Sequence, residues 1–207
     1  MITHNCQQGS EEWLKLRCSI PTASEFDNLV TPEWKARTGQ TPETYLLKKV
    51  AGRYVGSPML SYSSGAMEQG NLLEAEAIAW YEFSQGVTVD RVGFCTTDDG
   101  RIGCSPDGLI GEDGGIEIKC PEAHTHLKYL LAGSVPKDYV AQVQGAMFVT
   151  GRPWWIFVSY NRAFPALVVR VERNEEAQKA LADALAKFVA SLDAVTSRLQ
   201  QLNPPAQ

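Results

Sequence analysis

The chain is short of histidine, with three in 207 residues, and none of its five cysteines stands in C-x-x-C spacing. Cys6, Cys18, Cys95, Cys104 and Cys120 are scattered, a spacing that argues against a zinc ribbon or a clustered iron–sulfur site. An odd, dispersed count fits a reducing compartment, where buried cysteines act as small hydrophobes. His124 and His126 lie two apart with no cysteine or third histidine nearby, and read as exposed polar residues rather than zinc ligands. No apolar run approaches the ~20 residues that a membrane span needs. The N-terminal stretch "MITHNCQQGSEEW" has neither the basic start nor the apolar run of a signal peptide, so a cytoplasmic location is expected. Positive charge is not in excess either: 19 Lys and Arg against 24 Asp and Glu give a net charge of −5. Contact with nucleic acid would therefore need locally concentrated basic residues, or metal ions.

What is present is the composition of a folded protein, 44% hydrophobic and 21% charged, with chain enough for one substantial core. One domain over 1–207 is expected, closed by a C-terminal helix over 174–202. Ser10 followed by Glu11 and Glu12 reads as a cap with acids in the first turn, opening a helix through Arg17. "PTASEF" predicts a second helix. Thr41 and Pro42 open a third that runs to Gly56, and a longer one spans Ala66 to Phe83 and stops at Gly86. The pattern then changes. "VTVDRVGFCTT", "RIGCSPDGL", "GGIEIKC", "WWIFVSY" and "ALVVRVE" are short β-branched or aromatic runs punctuated by Gly, Asp and Pro, the signature of strands. A helix over Asp138–Val149 separates the third from the fourth. Asn174 caps the last helix, with Ala177, Leu181, Leu185 and Phe188 along one face. The order predicts an α/β fold built on a mixed central sheet. "WW" at Trp154 and Trp155 puts one indole in the core and the other outward at a subunit contact; neither is assigned to DNA.

The chemistry concentrates in "CSPDGLIGEDGGIEIKCP". The period of a strand puts Ile116, Ile118 and Cys120 on one face and Glu117 and Lys119 on the other. A solvated strand face alone explains a Glu-x-Lys. Asp107, in the Pro-Asp-Gly just upstream, changes the weighing, because a hairpin closed by "GEDGG" lets it meet Glu117. Two converging carboxylates repel unless a cation lies between them. Hard oxygen ligands suit Mg²⁺ or Mn²⁺, with the backbone carbonyl of Ile118 as a further ligand. Lys119 can then polarise a water and steady a pentavalent phosphate.

Asp–x(9)–Glu–x–Lys preceded by Pro resembles the PD-(D/E)-x-K nuclease signature. Beyond it, "KLRCSIPTASEF", "GNLLEAEAIAWYEFSQGVTV", "CSPDGL", "IEIKCP" and "YVAQVQGAMFVTG" are similar, in order, to the bacteriophage lambda exonuclease family of viral-type recombination nucleases. The likeness covers about three quarters of the chain and fades beyond Glu172. It implies a restriction-endonuclease-like fold and a Mg²⁺-dependent 5′→3′ exonuclease, with Mn²⁺ a substitute and two ions during catalysis. Such an enzyme digests the 5′-phosphorylated strand of linear duplex DNA to mononucleotides. The 3′ overhang then serves a single-strand annealing protein, and the enzyme is a homotrimeric ring.

By the same resemblance Glu74 is a metal-site acid, with Glu68 and Glu76 as local rivals, and Gln142 sits at the catalytic centre. Gln144 competes with it, about 200° away on a helix. Arg17, Ser24 and Ser105 match a pocket for the 5′ phosphate, a role suited to a guanidinium fork and hydroxyl donors. Where the family has a further arginine after Cys-Pro, this chain has "CPEAHTHLK", with Thr125 near that place. A flanking histidine, His124 in the first instance, would replace the donor and make phosphate affinity depend on pH. An endonuclease or repair nuclease of the same fold, and a non-catalytic DNA-end-binding subunit, are the alternatives.

Overall fold

The computed structural model describes residues 1–56 and 64–202, with the side chains of 64–71 left aside. Ser10 starts α1 (Glu11–Cys18), its Oγ accepting the Trp13 N–H at 3.3 Å, as the cap pattern predicts. The "PTASEF" segment forms a short 3₁₀ turn of helix, Ala23–Asn28, rather than an α-helix. Its flanks are already engaged: the Thr22 N–H bonds the Tyr45 hydroxyl and the Pro21 carbonyl takes the Gly103 N–H. α2 (Gln40–Val55) begins at Gly39, ahead of the expected Thr41 cap, and ends at Gly56 with φ 68°, a left-handed conformation that favours glycine. α3 (Ser64–Gln85) ends likewise at Gly86.

The strands form two sheets. β1 (Ile2–His4), β2 (Phe94–Thr96) and β3 (Gly103–Cys104) make a small antiparallel sheet in that order. β4 (Gly108–Ile110), β5 (Gly114–Lys119), β6 (Trp154–Ser159) and β7 (Leu167–Glu172) make the mixed sheet, with β5 and β6 parallel and the outer pairs antiparallel. The long run "VTVDRVGFCTT" keeps only β2 as strand, with Asp90 bridging Leu109. β1 and a helix, α4 (Ala123–Ala132), are additions to the expected elements. α4 and α5 (Lys137–Thr150) connect β5 to β6, as a parallel pair requires. α6 (Glu175–Leu202) is capped by Asn174, whose Oδ1 accepts the Ala177 N–H at 2.9 Å.

Both faces of the mixed sheet are covered. Ile116, Ile118, Ile156 and Val158 pack with Ala77, Ile78 and Tyr81 of α3. Trp155 and Phe157 pack on the other side with α5 and with Leu181, Leu185 and Leu192 of α6. Trp154 is half-buried beneath the Arg170 guanidinium, 4.2 Å from its ring. Gly145 lets α5 approach the 3₁₀ turn, since a Cβ there would lie 2.5 Å from the Phe26 ring. The turn bearing Ser24 is thereby pressed against the helix bearing Gln142. Residues 105–107 carry the chain from the small sheet into the mixed one, and the site lies at that crossing.

Candidate active site

The β4–β5 hairpin pairs Gly108 with Ile116 and Ile110 with Gly114. Asp107 therefore stands just beyond the paired end of β4, and its Oδ2 accepts the Ile118 N–H at 2.5 Å. In a strand a residue's N–H and C=O point to the same side, so the Ile118 carbonyl also faces the edge where Asp107 lies. Glu117 and Lys119 point to the α5 face. Glu117 is 3% exposed, so this face is not solvated. Its Oε1 accepts from Lys119 Nζ and from Gln142 Nε2, each at 2.6 Å. The Lys119 ammonium also lies 5.0 Å from the centre of the Tyr139 ring.

Burial pushes the Asp107 carboxyl well above the usual range, and the charges of Glu117 and Glu74 push it further. Glu117 is also raised, by burial first, against the pull of Lys119. Burial works against the Lys119 ammonium, yet Glu117 and Asp107 together raise its pKa. Two buried carboxylates that resist ionisation side by side, with oxygen atoms as the donors, are suited to a hard divalent cation. Glu74 comes from α3, on the opposite face of the sheet. Burial raises its pKa, and Arg91, with Nη2 at 3.4 Å from its Oε1, opposes that shift. The structure brings Glu74 within electrostatic reach of Asp107 and Glu117 but not into one ligand cluster: among the described residues no three His, Cys, Asp or Glu side chains are close enough together to hold a metal.

The rivals are sorted by their contacts. Glu76 faces away, bonded to the Tyr160 hydroxyl at 2.8 Å and to Arg162. Glu68 lies outside the described side chains. Gln144 is buried on the far side of α5, where its amide binds the Glu172 carbonyl and the Asn174 N–H.

Arg17, Ser24 and Ser105 come together. One terminal guanidinium nitrogen of Arg17 donates to Ser105 Oγ and the other to Ser24 Oγ, both at 3.0 Å. Trp13, which the sequence reasoning missed, donates from Nε1 to the same Ser105 Oγ at 2.9 Å and lies under the guanidinium, 4.3 Å from ring centre to carbon. Its position one turn before Arg17 on α1 was the available signal. Gln8 was also missed; its amide donates to the Pro106 carbonyl at 2.8 Å and closes the same wall. A cavity of about 190 Å³ is lined by Arg17, Ser24, Ser105, Asp107, Glu117, Lys119 and Gln142 together.

The structure does not bring the histidines there. His124 is exposed, with Nδ1 3.6 Å from Glu122. His126, expected on the surface, is fully buried, hydrogen-bonded to Ser159 Oγ at 2.8 Å and to the Pro165 carbonyl at 3.0 Å. The unforeseen helix α4 explains both. It starts at Ala123, and residues two apart on a helix face opposite ways.

An α/β fold thus gathers two acids and a lysine at the open end of a hairpin, beside an arginine held between two serines, and the likeness of the chain to known proteins places it among the recombination-type nucleases. It belongs to the YqaJ-like viral recombinase domain family, whose sequence model matches residues 12–153. It is similar to the alkaline exonuclease LHK-Exo from Laribacter hongkongensis at 30% identity, and to LHK-Exo in complex with dAMP at 31%. Each has a TM-score of 0.82 and covers 93% of this chain and 97% of its own. A phage-related exonuclease from Haemophilus somnus shares the fold, at TM-score 0.64 and 15% identity over 87% of this chain and 96% of that one. No curated protein matches the sequence significantly. Among the described residues no helix is long and apolar enough to cross a membrane.

Proposed function

We propose that this protein is a Mg²⁺-dependent 5′→3′ exonuclease that digests the 5′-phosphorylated strand of linear duplex DNA and leaves a 3′ overhang. The observation that carries the reading is the single cavity shared by Arg17, Ser24 and Ser105 with Asp107, Glu117 and Lys119. Ser105 and Asp107 are two residues apart, so their Cα atoms are separated by at most ~7 Å. An end phosphate held at the first and a bond cut at the second are thus about one nucleotide apart, which favours release of mononucleotides. The dAMP bound by LHK-Exo accords with a pocket of that size.

Asp107, Glu117 and the Ile118 carbonyl would hold the cation, Mg²⁺ or in its place Mn²⁺, and Glu74, within electrostatic reach of both carboxylates, would join them only if it moved toward the ion. Existing hydrogen bonds occupy Asp107 Oδ2 and Glu117 Oε1, which leaves Oδ1 and Oε2 for it. When bound, the metal lowers the pKa of water and neutralises charge on the phosphate; two ions would serve the in-line displacement. Lys119 donates to the attacking water or a phosphate oxygen, and Gln142 keeps Glu117 oriented. Arg17 with the two serines grips the 5′ phosphate, and its bidentate fork sets the strand's direction.

With this reading goes a homotrimeric ring around the DNA, in which an acidic chain needs basic residues only along the channel. The overhang would pass to a single-strand annealing protein. The test is incubation with Mg²⁺ and linear duplex carrying a 5′ phosphate on one strand, with Asp107→Ala and circular duplex as controls. Loss of the phosphorylated strand alone, with circles intact and the variant inactive, is the expected result. Cut circles would make it an endonuclease. No metal-dependent cleavage would leave a DNA-end-binding subunit.

A further inference from the structure

We propose that Lys49, on α2, is the positioning residue that holds Arg17 and Ser24 in register as the two arms of the phosphate pocket; this rests on the pocket's assignment above. Lys49 is buried and is not among the residues lining the cavity. Its Nζ donates to the backbone carbonyl of Arg17 at 2.9 Å and pairs with Glu25 Oε2 at 2.8 Å. Glu25 directly follows Ser24, and its Oε2 also accepts the Thr22 hydroxyl at 3.1 Å. One ammonium thus ties the end of α1, which supplies the guanidinium, to the 3₁₀ turn that supplies the hydroxyl.

The surface beneath α1 is built for this. Lys49, Gly52 and Arg53 are spaced i, i+3, i+4 and so share one face of α2. Arg53 Nε donates to the Ser19 carbonyl at 2.8 Å, and a Cβ on Gly52 would lie 2.1 Å from the Cys18 carbonyl oxygen. Basic groups at the last carbonyls of a helix satisfy acceptors that have no partner within it. α1 therefore rests on α2 in close contact, and Lys49 links that contact to Ser24.

Stability alone does not account for burying the Lys49 ammonium against a half-exposed Glu25, because well-packed apolar residues of similar volume often serve as well or better. What an apolar side chain cannot supply is simultaneous hydrogen bonding to a carbonyl and a carboxylate. A guanidinium that must meet both Ser24 and Ser105 has little tolerance for a shift of its helix.

The test compares kcat and KM on linear duplexes with a 5′ phosphate and with a 5′ hydroxyl, in Mg²⁺. The enzymes are the wild type, Lys49→Met, Lys49→Arg and the double variant Lys49→Met/Glu25→Gln, which leaves no unpaired carboxylate if the single variant fails to fold. The folded variants lacking Lys49 are expected to lose about tenfold or more of the preference for the phosphorylated end, through KM. Their rate on the hydroxyl end should stay within about twofold, and Lys49→Arg should recover part of the preference. Wild-type preference in a folded double variant, or equal loss on both substrates, would overturn the proposal. A wild type without preference would sink the pocket assignment and the proposal with it, a failure visible without any variant.

Discussion

Gln142 and Lys119 meet on the same oxygen of Glu117, each 2.6 Å from Oε1. A carboxylate fixed by two donors on one oxygen keeps the other aimed, so its orientation does not have to be found when a cation arrives. Such supporting partners of ligands typically matter 10–100-fold for metal affinity or activity, by rough general experience. Gln142→Ala is therefore expected to lower activity by about that range and to raise the Mg²⁺ concentration needed for half-maximal rate. Gln144→Ala is the contrast. It strips hydrogen bonds from Glu172, Asn174 and Gln178, so unfolding should become easier by about 1–3 kcal/mol while activity per folded molecule holds. Denaturant titration and Mg²⁺-dependence on the two variants separate these outcomes.

Asp107 sits buried beside Glu117, and burial first, then the Glu117 charge, disfavours its ionised form when no cation is bound. Asp107→Asn removes one charge and keeps an oxygen for the Ile118 N–H. In EDTA the variant should melt higher than wild type by roughly 2–4 °C, the shift that about 1 kcal/mol gives in a domain of this size. It should also be inactive, and added Mg²⁺ should raise the melting point of wild type only. A lower melting point for the variant in EDTA would mean that Asp107 is held chiefly by its hydrogen bond.

The hairpin was legible because it is local: Pro-Asp-Gly, "GEDGG" and a period of two suffice to place Asp107 opposite Glu117. Gln142 was separable from Gln144 only by resemblance, since the helix angle says that one faces the site but not which. α4 was missed because "AHTHLKYLLA" lacks a capping side chain; its N-cap is Glu122, with no cap hydrogen bond. That omission carried His124 and His126 with it. Trp13, Gln8 and Lys49 act through partners distant in sequence, at Ser105, Pro106 and Glu25, and nothing in their own neighbourhood announces this. How deeply Glu117 is buried could not be read from β5 alone for a related reason: α5 covers that face, and a strand's alternation does not say what packs on its polar side.

Glu76, the local rival of Glu74, is held at a pKa of about 2 by hydrogen bonds from Arg162 and then Tyr160. A carboxylate whose folded pKa lies below its unfolded value adds stability that is present above the unfolded pKa and lost as pH falls through the folded one. The melting point of wild type should therefore decline between about pH 4.5 and about pH 2 more steeply than that of Glu76→Gln, and the two curves should converge at the acid end. At neutral pH Glu76→Gln should be the less stable protein yet cleave DNA at close to the wild-type rate, whereas Glu74→Gln should not. Melting curves across this range and one cleavage assay at neutral pH check both halves.

The two histidines should behave oppositely. His124 is exposed beside Glu122 and does not line the cavity of Arg17, Ser24 and Ser105, so His124→Ala should leave affinity for a 5′-phosphorylated duplex within about twofold at about pH 6 and at about pH 8.5 alike. His126 joins α4 to Ser159 at the end of β6 and to the carbonyl of Pro165. His126→Ala leaves the buried Ser159 hydroxyl without its partner, at a cost of about 1–3 kcal/mol to folding. Binding isotherms at the two pH limits and denaturant titrations provide the comparison. An affinity that falls in His124→Ala at low pH only would show that α4 moves toward the pocket when DNA is bound, and would restore the histidine as the replacement for the absent arginine.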